Sequence, residues 1–231
     1  MVTLARELAR PFGLGFALLN SAIIYGLRRE WLAVRERVET VLALAVEHGF
    51  SLLSAMATIY RGRALAVHDQ TQVDMTQIHQ GLTVLEAMGV ALLRPFHLAL
   101  LAETYSDMAQ PEKGLQVLDD ALAVVDRTEE RWWEAELYRL KGELLQSAAC
   151  SMRPATWTPG MCFQKALDIS RRQQARSLEL RVAMSLSRLW QQQGKSDQAR
   201  QLLAEVYNGF TEGFDTVDLQ EAKQLLDGLT A

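Results

Sequence analysis

The chain has 231 residues, 49% of them hydrophobic and 23% charged, with a formal net charge of −4. That length allows one or two globular domains or one elongated repeat array. The mild acidity offers no basic footprint for nucleic acid, and five prolines without long Gly/Ser runs mark no disordered linker.

Residues 1–10, MVTLARELAR, read as the tail of a helix whose partner would precede it. The chain is therefore expected to be a piece of a longer array or larger protein. The apolar run from Phe12 to Leu27 is interrupted by Gly13, Gly15, Asn20 and Ser21. It falls short of the roughly 20 residues of a membrane span and lacks an A-x-A cleavage site, so it reads as a core-facing helix.

From there a hairpin of two amphipathic helices recurs. Its clearest copy is residues 94–127, where Leu98, Leu101, Ala102 and Tyr105 form one stripe, and Gly114, Leu118, Ala121 and Leu122 the next. The two stripes meet at a turn around Gln110 and Pro111, and proline suits a helix's first turn. A step of about 40 residues carries the pair Ala121-Leu122 back to Gly81-Leu82 and Val41-Leu42; steps of about 45 and 40 carry it on to Ala166-Leu167 and Val206-Tyr207.

In the same register the first helices carry a small residue: Ala22, Gly62, Ala102, Gly142 and Ser187. Three positions on stands a large one: Tyr25, Leu65, Tyr105, Leu145 and Trp190. The second helices carry Val38, Ile78, Leu118, Phe163 and Leu203. A small side chain lets two helices approach, since interaxial distance follows the side chains at the contact. The bulky residue then fills the space between hairpins. One hairpin cannot bury both faces, so neighbours must stack.

These columns predict an all-α, right-handed α-solenoid of about five hairpins in a single domain 1–231. The hairpins occupy 11–50, 51–90, 91–130, 131–175 and 176–215, and a capping helix occupies 216–231, with its core from Val217 to Leu229 and Asp215 placed to cap it. The extra residues of hairpin four fall in a loop with Pro154, Pro159 and Gly160. Thr71 and Asp74 read as a helix-start pair. Cys150 and Cys162 read as reduced thiols of a cytoplasmic protein, their nearness also allowing a disulfide.

Few residues carry chemistry. Gly194-Lys195-Ser196 has the end of a phosphate loop but Leu189 where that loop needs glycine, so Ser196 reads as a helix N-cap. His48, His68, His79 and His97 lack the i, i+4 spacing of a helical metal pair and read as structural or surface groups. His48 precedes Gly49 at a helix end, where a cation suits the dipole. Of Trp132 and Trp133, about 100° apart on a helix, one is expected in the core and the other partly exposed. Arg171, Arg172, Arg176 and Arg181 read as a solvated helix end. No nucleophile elbow is present, and no catalytic residue, metal or cofactor is expected.

Within each hairpin the pattern resembles the tetratricopeptide repeat, W-x2-L-G-x2-Y followed by A-x3-F. Hairpin three matches with Leu98, Leu101, Ala102, Tyr105, Gly114 and Leu118; hairpin five with Ala183, Leu186, Ser187, Trp190, Ala199 and Leu203. Hairpins one and two carry Ser21 and Arg61 in place of leucine. Three phrases, at 130–145, 162–203 and 207–226, are similar to the C-terminal helical-repeat region of bacterial signalling proteins. In those a class III adenylate or guanylate cyclase and an AAA- or STAND-like ATPase precede the repeats. The resemblance implies a sensing or scaffolding arm beside such domains, not a catalytic part.

In stacked hairpins the first helices line a concave face, where binding surfaces commonly lie. The position after the small column reads Ile23, Arg63, Glu103, Glu143 and Arg188, with Arg139 and Gln191 nearby. Arg63, Glu103, Arg139, Glu143, Arg188 and Gln191 are thus candidates for a groove that takes a protein or peptide, with no nucleic acid or membrane involved. The alternative is that these charges pair with one another between hairpins. A second reading is a small-effector-binding arm controlling a linked cyclase, ATPase or transcription-regulator domain. It predicts an apolar cavity closed by Phe96, Tyr60 or Trp190.

Overall fold

The computed structural model describes Thr3 and residues 10–68, 75–148 and 157–229. Among these, eleven α-helices and no strand occur. The chain divides into two compact units, Met1–Met108 and Ala109–Ala231. The first holds α1 (Pro11–Leu27), α2 (Trp31–His48), α3 (Ser51–His68), α4 (Met75–Ala87) and α5 (Arg94–Asp107). The second holds α6 (Pro111–Thr128), α7 (Glu134–Ala148), α8 (Pro159–Arg172), α9 (Arg176–Gln192), α10 (Ser196–Tyr207) and α11 (Val217–Leu229).

The helix ends follow local chemistry. Pro11, Pro111 and Pro159 open their helices, where the missing N–H has no intrahelical partner to lose. Thr158 caps α8, its hydroxyl accepting from the Met161 N–H at 3.3 Å. α2 stops at Gly49, whose φ of 70° is the left-handed value that glycine adopts without strain, and His48 sits in the last turn. The expected cap at Ser196 is displaced by one residue. Lys195 holds the cap position without a side-chain bond, and Ser196 is already helical. The Thr71–Asp74 start and Cys150 lie outside the described residues.

Packing inside each unit follows the expected columns. Val38, Ile78, Leu118, Phe163 and Leu203 have no exposed surface. Gly62 lies against Ile78, where an added Cβ would sit 2.8 Å from Ile78 Cγ1. Gly142 lies against Phe163, where it would sit 2.4 Å from the ring. The large column is half-buried, and two of its members reach the preceding hairpin: Tyr105 to His79 of α4, and Trp190 to the cluster around Phe163 of α8.

In the first unit each helix packs on its chain neighbour, and the first helices also touch directly, α1 with α3 and α3 with α5. In the second, α7 touches α9 and α9 touches α11 in the same manner. α11 closes a cluster of Leu180, Met184, Leu203 and Val206 with Leu219 and Ala222. No helix among the described residues is long and apolar enough to cross a membrane.

Candidate partner-binding faces

The direct contacts between first helices are where the candidate residues fall, and each unit has its own set. In the first unit Arg63 stands one residue after Gly62, so its side chain turns about 100° from the Gly62–Ile78 contact, towards the next first helix. Its guanidinium pairs with Glu103 of α5 at 3.1 Å, hydrogen-bonds Asp107 one turn on, and lies 5.3 Å over the Trp31 ring. Exposure separates the partners: the Arg63 side chain is 8% exposed, Glu103 20% and Asp107 47%. The cation lies inside and the carboxylates form the rim.

In the second unit the centre is Glu136 of α7, 1% exposed. Arg139 binds both its oxygens, at 2.8 and 2.9 Å, and Arg181 of α9 approaches at 3.4 Å. Burial alone would raise the Glu136 pKa, but the two guanidiniums outweigh it and hold the carboxyl below its ordinary range. Arg139 reaches outward to Glu143 at 2.5 Å and to Ser185 of α9 at 3.3 Å, and the Ser185 hydroxyl donates to Glu143 at 2.8 Å. Arg181 extends the chain of contacts to Asp218 of α11 at 2.7 Å. Burial opposes the charge on Arg181, yet Glu136 and Asp218 raise its pKa above the ordinary value.

Of the six predicted residues, Arg63 and Glu103 meet in the first unit, and Arg139 and Glu143 meet in the second. Arg188 approaches Glu221 of α11 at 3.8 Å with 46% of its side chain exposed, and Gln191, one turn further, is exposed. Sequence reasoning missed Asp107, Glu136, Arg181, Ser185 and Asp218. A signal was present: Arg63 and Glu103 are 40 apart and Glu136 and Arg181 are 45 apart, the two hairpin steps. Opposite charges one step apart on first helices mark such pairs.

The other motifs are structural. Trp133 is 6% exposed and Trp132 38% exposed, so the pair divides as expected. Lys195 hydrogen-bonds Gln193 in the turn at Gly194. Of the four arginines expected at a solvated helix end, Arg171 pairs with Glu179 and Glu205, whereas Arg181 is drawn inside by Glu136 and Asp218, its side chain 11% exposed. Cys162 is a free, buried thiol whose pKa burial pushes up to about 11. Among the described residues no three His, Cys, Asp or Glu side chains gather as metal ligands would. Tyr60 and Phe96 pack 6.2 Å apart in the core, and Trp190 packs on the Phe163 cluster. A cleft of about 320 Å³ lies elsewhere, between α2, α3 and α4, with Val46 and Val84 on its walls and Gly81 and Ser54 in its lining. Neither a protein-family model nor a curated protein matches the chain.

Proposed function

We propose that the chain is a non-catalytic binding module, a right-handed solenoid of five tetratricopeptide-like hairpins, whose first helices present a polar face to a protein or peptide. The observation that carries this reading is the layered arrangement of charge in the second unit. Glu136, Arg139 and Arg181 are locked beneath, Glu143 is half-buried above them in contact with Arg139 and Ser185, and Arg188 and Gln191 are exposed. A fixed inner layer holds the outer groups in place, which lowers the ordering cost of binding. Arg63 and Arg139 then act as positioning groups, and the exposed members make the contacts. Tyr60 and Phe96 are buried against each other and half-buried Trp190 packs on the Phe163 cluster, which favours this open face over the small-effector reading. The context we propose is the one the resemblance implies: an arm of a larger signalling protein with cyclase or ATPase domains.

Peptides selected from a random display library on the purified chain test the face. Selected peptides should lose at least about tenfold in affinity against Arg188→Ala combined with Gln191→Ala, while stability changes by less than ~1 kcal/mol because both groups are exposed. Arg172→Ala, outside the face, should bind normally. Peptides that bind wild type and double variant equally would sink the assignment.

A further inference from the structure

His97 lies in α5 with 1% of its surface exposed, in the layer where α5 meets α3. Its Nε2 sits 2.9 Å from the hydroxyl of Tyr60, itself 2% exposed. The rings of Tyr60 and Phe96 flank it at 5.5 and 6.1 Å between centroids. Its Nδ1 is buried and has no hydrogen-bond partner among the described residues. A neutral imidazole can accept from the Tyr60 O–H and leaves one nitrogen unsatisfied. An imidazolium has two N–H donors and here meets one oxygen.

Among the described residues, the surrounding charges give it no counter-ion. α5 packs on α3 and α4. On α3, Arg63 is held by Glu103 and Asp107, Arg61 pairs with Glu39 of α2, and His68 is exposed at the helix end. On α4, His79 hydrogen-bonds Tyr105 of α5, and Glu86 pairs with Arg94 of α5. Among the described residues, the charge that acts on His97 is the cation Arg94.

We propose that the Tyr60–His97 pair is an acid-sensitive latch, whose protonation releases α5 from α3 in the first unit and leaves the second unit folded. Burial, and then Arg94, hold the imidazole down at about 4 against an ordinary 6.5. The closed contact binds fewer protons than the opened one. It is therefore at full strength above pH 6.5, weakens as the pH falls through that value, and levels off below about 4.

Hydrogen exchange of the α5 amides at pH 7 and pH 5 tests the latch, in wild type and in His97→Gln, which keeps a polar group near Tyr60 and never charges. Linkage between the two pKa values raises the wild-type opening constant about twentyfold over that interval. The variant should stay flat, as should the α9 amides in both proteins. An equal rise in variant and wild type would overturn the proposal. So would a His97 ring resonance that titrates near 6.5 in the folded chain, and that titration decides the matter alone where the variant does not fold.

Discussion

A Cβ added to Gly142 would lie 2.4 Å from the Phe163 ring, closer than any real side chain tolerates. Gly142→Ala must therefore push α7 and α8 apart or rotate the ring, and should cost about 1–3 kcal/mol in denaturant unfolding. Gly228, also helical but with nothing among the described residues within 4 Å, is the control; Gly228→Ala should be neutral or gain up to about 1 kcal/mol. Equal effects at the two positions would show that packing is not the cause. Glu136 is the other decisive residue. Glu136→Gln leaves Arg139 and Arg181 without their shared carboxylate and should lose about 3 kcal/mol, the lower end for a broken buried pair, since Glu143 and Asp218 remain. Because the folded-state pKa of Glu136 is depressed, its contribution is complete above 4.5 and fades as the pH falls below it. Urea midpoints of wild type and variant should therefore converge on acidification. Parallel curves would contradict the burial of this charge. The small column and the second-helix column, which meet at Gly142 and Phe163, were legible because volume complementarity restricts residue type. Glu136 was not: a carboxylate on a helix reads as surface until the two arginines across from it are known.

Among the elements, α11 shows how an amphipathic segment reads directly from spacing. Val217–Leu229 has Leu219 and Ala222 buried, Leu225, Leu226 and Leu229 packed beside them, and Gln220, Lys223, Gln224 and Asp227 exposed. Its expected bounds and observed bounds coincide. Leu219→Ala should cost about 2–4 kcal/mol and lower the unfolding midpoint, because the cavity would open on Leu180, Met184 and Leu203. A loss below about 1 kcal/mol would mean that α11 is only loosely held. Helix starts were less legible than helix cores. Ser196 has the chemistry of an N-cap, yet the backbone enters the helix at Lys195 and the hydroxyl makes no cap bond. A cap depends on the φ/ψ of one residue, which neighbouring packing shifts at little cost.

At the scale of the whole molecule, two compact units divide the chain at Met108 and Ala109, between the two helices of the hairpin that most plainly shows the pattern. The all-helical class, the pairing of each helix with its chain neighbour within a unit, and the small-against-large columns were determined by the sequence itself. They rest on the 3.6-residue helix period and on close packing, which are local or repeat at a fixed step and so survive in a linear text. The hairpin step marks Arg63–Glu103 and Glu136–Arg181, but tertiary structure decided the rest of the polar contacts: Asp107 with Arg63, Arg139 with Glu136, and Tyr60 with His97. The reason is geometric. Each residue turns its side chain about 100° from the last, and long side chains reach across to a neighbouring helix, so small rotations of a helix change the partner without changing the period. The same rotation determines exposure, and exposure separates Arg188 and Gln191, which are exposed, from Arg63 and Arg139, whose charges are held between the helices.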